Sequence, residues 1–421
     1  MLQNKPRIRF HNAIIMSVNL GVLNTLLRHK KFELVSPIHW QSHGHDGQYI
    51  VAVDNLQLKL MNYVRRPSRA INLQPVDGDG NYLFGVHLQH DELLSKLWKY
   101  LAIALIYRDD CCIDSFRVIN VQLAPSVMAQ LGKALKSKHL KSLVLHNNNF
   151  GRHGVSFAAE TLKENDSLNC ISFNFNQFDD LESVIQFADA LSKHPFLESL
   201  SVRYCSFGDN LMTLYTMISA CNNVKFLDLR NTDIGSGGGG GATIVSQFLA
   251  SNPSMETLNL SNNNFNDRDA DIIAQGLSSS KNTNLKLLYM SNNPILEVGK
   301  RALLKAIFDT TSLNATIDSN HTCELIFDRM HTVHGMVMLI NNFTTQDTNR
   351  KRKIVFAIHD AVVGSCDFHS LENVPTGLAP DILGLVQFGP LKYMSSRLMF
   401  NYSLTLTYDI LRRWLCGFIG G

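Results

Sequence analysis

The chain has 421 residues, of which 45% are hydrophobic and 18% are charged. This composition supplies enough apolar surface for one large core or several smaller ones, and it excludes a disordered or fibrous protein. The 39 basic and 36 acidic residues leave a net charge of +3, so charge alone does not indicate a protein that binds nucleic acid or another polyanion.

Residues 1–110 contain no recognisable repeat and predict a small α+β cap. Residues 31–38, 48–53 and 56–64 have strand-like composition, and Asp54 and Asn55 are typical of a hairpin turn. A helix is predicted over residues 91–107. It includes the most apolar window of the chain, residues 100–107, which is far shorter than the roughly 20 residues that span a bilayer. We therefore expect a core helix there and no membrane span.

The middle of the chain carries a repeated pattern, L-x-x-L-x-L-x-x-N/C-x-L/F. Six clear copies begin at Leu140, Leu168, Leu197, Val224, Met255 and Leu285. Two degenerate copies begin at Ile113 and Leu313, so that eight units follow one another at intervals of 27 to 31 residues. The pattern predicts a repeat domain over residues 111–323.

Each copy predicts a short strand, a turn and a helix. Alternate strand residues such as Leu143 and Leu145 should point inward, because side chains alternate between the two faces of a strand. A short polar residue after the strand can satisfy backbone groups where the chain turns. That position holds Asn148, Asn176, Cys205, Thr232, Asn263 and Asn293. Helical spacing follows over residues 155–162, 183–191, 211–220, 244–250, 269–277 and 298–308.

The motif and its period resemble the leucine-rich repeat, in particular its ribonuclease-inhibitor-type subclass. The resemblance implies an α/β solenoid, or horseshoe, with a parallel sheet on the concave side and helices outside. Three features depart from the pattern: Thr232 at the N/C position, the glycines of residues 237–241, and Thr316 with Asp318 in the last copy. The last departure indicates that the solenoid ends there.

Residues 324–421 predict a mostly helical C-terminal region that ends in an amphipathic stretch, residues 404–418. Parts of this region resemble the C-terminal tail of leucine-rich-repeat proteins of photosynthetic protists. Two of its segments invite other interpretations. Residues 350–353 (RKRK) could be a nuclear-import signal or a solvated loop edge, and residues 374–386 have the look of an F-box.

The concave face is the predicted protein-binding surface. Arg203, Arg230 and Asp228 occupy adjacent strands about 4.8 Å apart and should form one patch, unless they only pair with one another. Aromatic side chains at its rim would add contact area. The predicted site consists of His146, Asn174, Phe175, Arg203, Tyr204, Asp228, Arg230 and Tyr289.

Other candidate sites have simpler interpretations. His39, His43, His45 and Asp46 could bind a metal, although their spacing follows no helical register. Residues 77–81 (DGDGN) begin like a calcium loop but lack its later residues, so we predict a turn. The glycines of residues 235–241 lack the Lys-Ser/Thr of a phosphate loop and predict a flexible insertion.

No spaced set of catalytic residues is present, and no cofactor or metal is expected. The eight cysteines have no Cys-x-x-Cys spacing and are expected to be reduced and mostly buried. The sequence therefore predicts a non-enzymatic scaffold or adaptor that binds another protein in the cytoplasm or nucleus, with no specific nucleic acid. The alternatives are a regulator of a small GTPase, a substrate adaptor of a ubiquitin ligase, and an enzyme hidden in residues 1–110 or 324–421.

Overall fold

A computed structural model describes residues 25–354 of the protein. The description omits residues 26, 30, 67, 109–111, 137, 150, 208–210, 280–283, 310, 312, 328–345, 347 and 351–352. The chain divides into two compact units, with the boundary between Thr232 and Asp233.

The first unit alternates strands and helices along the chain. Its described strands are β1 Ala70–Leu73, β2 Ser115–Ile119, β3 Ser142–His146, β4 Cys170–Ser172, β5 Ser199–Ser201 and β6 Phe226–Asp228. Its helices are α1 Pro37–Ser42, α2 Gly47–Arg65, α3 Glu92–Tyr107, α4 Pro125–Leu135, α5 Gly151–Glu164, α6 Leu181–Lys193 and α7 Leu211–Ser219. Each strand pairs in parallel with the next strand in the sequence.

The repeated leucines of the first unit form its core. Leu143, Ile171, Leu200 and Leu227 pair in register across β3 to β6, and each is at most 1% exposed. Burial of one such side chain stabilises the fold by about 2 kcal/mol. The residues between the leucines point away from the helices and are partly exposed. The predicted inward and outward positions of these strands are confirmed.

The predicted hairpin near the N-terminus is wrong, because residues 47–65 form the single helix α2. Its buried side chains Val53, Leu56, Leu60 and Val64 recur every three or four residues, which is the period of a helix. Asp46 caps the helix, since its Oδ1 accepts a hydrogen bond of 2.8 Å from the Tyr49 N–H. The predicted helix over residues 91–107 is confirmed as α3.

The second unit continues the alternation of strand and helix. Its strands are β7 Thr257–Asn259, β8 Leu287–Tyr289 and β9 Glu324–Ile326, and each pairs in parallel with the next. Its helices are α8 Gly240–Ser251, α9 Asp267–Ser279, α10 Glu297–Ile307 and α11 Leu313–Asp318. Both units thus have the predicted α/β solenoid architecture.

The last predicted repeat is displaced. The copy that begins at Leu313 was expected to form a strand, but it forms α11, and the strand that pairs with β8 is β9. Cys323 and Leu325 are the buried alternating residues of this strand region. Thr316 is buried, and its hydroxyl is satisfied by a hydrogen bond of 2.6 Å that it donates to the Asp309 carbonyl oxygen. Its polar side chain therefore belongs to a helix that precedes the final strand.

The glycine-rich segment has a defined conformation. Residues Ile234–Gly237 form a 3₁₀ turn, and α8 begins at Gly240. Gly238 and Gly239 lie between them with φ of 64° and 98°, a region that glycine enters without steric cost. These glycines form the entrance to a helix, which differs from the flexible insertion that the sequence predicted.

Candidate functional site

The turn after each strand is stabilised by the short polar residue of the repeat. Asn176 is buried, and its Nδ2 donates hydrogen bonds to the carbonyl oxygens of Leu145 (2.8 Å) and Phe173 (2.9 Å). Its Oδ1 accepts the Asn148 N–H at 3.1 Å. These bonds connect successive repeats and satisfy backbone groups that would otherwise be buried without partners. The predicted role of this position is confirmed.

A hydrogen-bond chain crosses the open face of the first unit, which is the sheet face away from the helices. Asn174 is 1% exposed, and its Oδ1 accepts the Arg203 N–H at 2.9 Å and the Ser201 hydroxyl at 2.8 Å. Its Nδ2 lies 3.2 Å from His146 Nε2, which is also 2.7 Å from Ser172 Oγ. Asn174 therefore fixes the backbone of Arg203 from below the surface.

This chain determines the proton position on His146. A backbone N–H can only donate, so Asn174 must present its oxygen to Arg203 and its amide hydrogens to His146. His146 Nε2 then accepts and carries no proton, which makes the ring neutral. Burial, followed by the positive charges of Arg117 and Arg203, lowers the pKa of His146 to about 4.

In the predicted patch, Asp228 pairs more closely with Arg230 than with Arg203. Arg230 donates two hydrogen bonds to the Asp228 carboxylate, from Nε to Oδ1 at 3.0 Å and from Nη2 to Oδ2 at 2.8 Å. Arg203 approaches Asp228 only to 3.6 Å between Nε and Oδ2. Its Nε is buried and has no hydrogen-bond partner among the described residues. The expected self-pairing thus accounts for Arg230 and leaves Arg203, whose side chain is 33% exposed, with only a long contact to Asp228.

Phe175 and Tyr204 form a stacked pair beside Arg203. Their ring centroids are 4.3 Å apart with an angle of 6° between the planes, and the side chains are 50% and 49% exposed. The Phe175 N–H donates to the Arg203 carbonyl oxygen at 2.8 Å, and Tyr204 follows Arg203 in the chain. Both residues have φ near +60°, a left-handed conformation that is unusual for a bulky side chain.

Two exposed residues of this face were not among the predicted site residues. Arg117 lies on β2, where it pairs in register with Val144, and its side chain is exposed. Phe226 begins β6 and is 43% exposed. Arg117 could have been found from the sequence, because it occupies the outward position between Phe116 and Val118 in the degenerate copy that begins at Ile113.

A family model matches part of the repeats described above. The family described as Leucine Rich repeat matches residues 220–240 and 251–274. The chain contains leucine-rich repeats. A solved structure of a protein from Bacteroides fragilis is similar at 16% identity, with 66% of this chain and 72% of that chain covered and a TM-score of 0.37. Comparison with curated proteins gives no match.

Tyr289 belongs to the leucine-rich repeats of the second unit. It lies on β8 and pairs in register with Asn259 on β7 and Ile326 on β9. Its side chain is partly exposed. The structure therefore brings together seven of the predicted site residues in the first unit, while Tyr289 stands on the open face of the second unit.

The histidines before the leucine-rich repeats have separate partners. His39 Nε2 lies 2.9 Å from Asp91 Oδ2, and the His45 ring stacks on Tyr49 at 3.7 Å. His43 Nδ1 is 2.7 Å from the His39 carbonyl oxygen, and Asp46 is the cap of α2. Within the described part of the chain, no group of three or more His, Cys, Asp or Glu residues is placed to hold a metal ion.

The acidic glycine-containing segment, residues 77–81, forms the predicted turn. Asp77 Oδ1 accepts hydrogen bonds from the N–H groups of Asp79 (3.0 Å) and Asn81 (2.8 Å). Gly80 has a φ of 87°. Asn81 Nδ2 also donates to Asp77 Oδ2 at 3.0 Å, and this bond, followed by the backbone hydrogen bonds, lowers the pKa of Asp77.

The basic run after the leucine-rich repeats is not a solvated loop edge at Lys353. This side chain is 0% exposed, and its Nζ donates to the carbonyl oxygens of Ile307 and Asn320. Burial lowers the pKa of Lys353 to about 7. Lys353 thus covers the C-terminal end of α10.

Some expectations concern parts of the chain that the description does not reach. The F-box-like residues 374–386 and the amphipathic residues 404–418 lie outside the described residues. Most of the segments that resemble the tail of protist proteins also lie outside them. Across the described helices, none is both long and apolar enough to traverse a membrane.

Proposed function

We propose that this protein is a non-enzymatic scaffold or adaptor that binds another protein through the open face of its leucine-rich repeats. The observation that carries the proposal is that Arg203, whose side chain is 33% exposed and approaches Asp228 only to 3.6 Å, lies next to the half-exposed Phe175–Tyr204 stack. Arginine and aromatic side chains dominate the binding energy of protein interfaces. The proposal places the protein in the cytoplasm or nucleus and its repeats in the ribonuclease-inhibitor-type subclass.

Quantitative capture from native lysate would test the proposal. The full chain and a triple variant, Arg203→Ala, Arg230→Ala and Tyr289→Ala, are immobilised at equal density, and the retained proteins are quantified by mass spectrometry. The matched control removes two cationic side chains and one tyrosine from the helices, with Lys163→Ala, Lys193→Ala and Tyr215→Ala. These three side chains are exposed on α5, α6 and α7.

The expected result is a partner that the wild type and the helix variant retain and the triple variant loses. Circular dichroism and the melting temperature must show that all three chains are folded. Equal retention by the triple variant would contradict the assignment of the open face as the binding surface. No feature of the described residues favours a GTPase regulator or a ubiquitin-ligase adaptor.

A further inference from the structure

Arg203 has the chemistry to bind a carboxylate from outside the chain. Asp228 is the carboxylate closest to it, but both Asp228 oxygens already accept hydrogen bonds from Arg230. The planar guanidinium of an arginine pairs with a carboxylate through two parallel hydrogen bonds. The Arg203 backbone is held by Asn174, so the side chain starts from a fixed position. An incoming carboxylate would therefore meet a partly exposed guanidinium on a fixed backbone.

The aromatic stack next to Arg203 carries a conformational cost. The equivalent position in other repeats is asparagine, namely Asn120, Asn147, Asn231, Asn262 and Asn292, each also with positive φ. Asparagine tolerates this conformation, whereas a bulky residue in it costs about 1–3 kcal/mol. Two adjacent repeats place rings there, half exposed and stacked. The turn itself does not need these rings, so the cost points to a contact surface.

The open face of the first unit has a small net positive charge. The outward positions of β2 to β6 and of the residues that directly continue them include Arg117, Arg203, Arg230 and Asp228, which give a formal charge of 3 − 1 = +2. Arg117 and Arg203 are separated by three strand spacings, or about 14 Å. An extended peptide covers that distance in about four residues. Between them lie the neutral His146 and the hydroxyl of Ser172.

We propose that the open face of the first unit binds an extended acidic peptide of a partner protein. Two carboxylates about four residues apart pair with Arg117 and Arg203, and a ring side chain beside the second carboxylate packs on the Phe175–Tyr204 stack. A net charge of +2 is small for nucleic acid, whose affinity depends on many phosphate contacts. This inference rests on the proposed function and specifies the chemistry of its partner.

A displayed library of random 12-residue peptides would test the proposal. The full-length chain is panned at 150 mM salt, and the most enriched peptide is labelled with fluorescein for anisotropy measurements. The expected enrichment is for pairs of Asp or Glu spaced three to five residues apart with a neighbouring Pro, Phe, Tyr or Trp. Arg203→Gln and the double variant Phe175→Asn, Tyr204→Asn should each weaken binding roughly tenfold, which corresponds to about 1.4 kcal/mol.

A double-mutant cycle would show whether the peptide carboxylate contacts Arg203 itself. Replacing the peptide carboxylate that pairs with Arg203 by its amide should weaken binding of the wild type but cause little further loss with Arg203→Gln. Lys193→Gln removes an exposed helix charge and serves as the matched control, for which binding should not change. A fluorescein-labelled 12-nucleotide oligo-dT is measured in parallel.

Three outcomes would overturn the proposal: no enrichment of acidic pairs, acidic peptides whose affinity Arg203→Gln does not change, or tighter binding of the oligonucleotide than of the peptide. The wider proposed function would survive these outcomes if the lysate experiment still showed a partner lost from the triple variant. It would fail separately if that partner were retained.

Discussion

Phe175 and Tyr204 show how one residue can depart from its repeat without changing the turn that it occupies. Their backbones follow the same left-handed path as asparagines in the neighbouring repeats. Each ring stacks on the other, and such a pair contributes about 0.5–1.5 kcal/mol beyond simple burial. The stack offsets part of the backbone cost and leaves one side of each ring accessible.

Substitution of Phe175 separates the backbone cost from the loss of the ring. Phe175→Asn and Phe175→Ala both remove the stack, but asparagine tolerates a φ of 61° better than alanine does. We expect the asparagine variant to be more stable than the alanine variant by about 1 kcal/mol in urea unfolding.

Phe196 provides the control for this comparison. It is 62% exposed and is not among the described residues with positive φ. Phe196→Asn and Phe196→Ala should therefore have nearly equal stability. Equal stability of the two Phe175 variants would contradict a left-handed backbone at that position.

His146 makes the stability of the first unit sensitive to acid. Its pKa is about 4 in the folded chain and 6.5 for an unperturbed histidine, so the unfolded chain binds the proton first as the pH falls. Stability is therefore complete above pH 6.5 and decreases as the pH falls toward 4, by on the order of 3 kcal/mol. A protonated Nε2 would also face the amide hydrogens of Asn174.

His146→Gln tests this pH dependence, because glutamine supplies a neutral acceptor. Urea unfolding of wild type and variant at pH 7.5 and pH 4.5 gives two differences in unfolding free energy. We expect the difference to shift in favour of the variant at pH 4.5. A difference that is the same at both pH values would show that His146 does not titrate below its ordinary pKa.

At the scale of elements, a glycine sets the distance between α8 and α9. Gly276 lies in α9, and a Cβ placed on it would overlap the Ser246 carbonyl oxygen and lie 2.6 Å from Ser246 Cα. Replacement by alanine normally favours a helix by about 1 kcal/mol. Here the clash is with backbone, which cannot rotate away, so the helices must separate.

We expect Gly276→Ala to destabilise the second unit by about 1–3 kcal/mol, which is typical of overpacking. Gly47→Ala is the matched control, because Gly47 begins α2 and a Cβ there meets no atom within 4 Å. Urea or thermal unfolding should show no loss of stability for the control. An equally stable Gly276→Ala variant would contradict the close contact of these helices.

The elements differ in how far the sequence determined them. The strands with leucines at alternate positions, such as Leu143 and Leu145, were predictable because inward burial and strand pairing require the same pattern. Helix α2 was not, because its Ile, Val and Tyr residues favour strands and the helical period is visible only across the supposed turn at Asp54. The final strand was missed because α11 lengthens the last interval between strands.

For the candidate site, the sequence predicted which residues share a face but not how their side chains pair. The register placed Arg203, Asp228 and Arg230 together, since consecutive strands are neighbours in a repeat structure. The unequal sharing of Asp228 and the burial of Asn174 depend on side-chain rotamers, which the register does not specify. The sequence therefore placed these residues on one face, and the structure shows that Asp228 pairs more closely with Arg230 than with Arg203.

On the scale of the whole molecule, buried thiols report on the integrity of each unit. Cys205 and Cys221 are buried in the same repeat of the first unit, the one that begins at Leu197, and Cys323 is buried in the second unit. Burial raises the pKa of each of these thiols to about 12. Since only the thiolate reacts, all three should be inert in the folded chain. Cys112 is exposed and serves as the reference.

Pulsed alkylation in increasing urea, read for each cysteine by mass spectrometry, would test this expectation. In the native chain Cys112 should be modified at least about a hundredfold faster than Cys205, Cys221 or Cys323, because the buried thiols react only when the fold opens. Cys205 and Cys221 should then become reactive at the same urea concentration, since they lie in one repeat, whose strand and helix open together. Rapid native modification of Cys205 would contradict the packing of the repeat behind Arg203, the residue on which the proposed peptide contact depends.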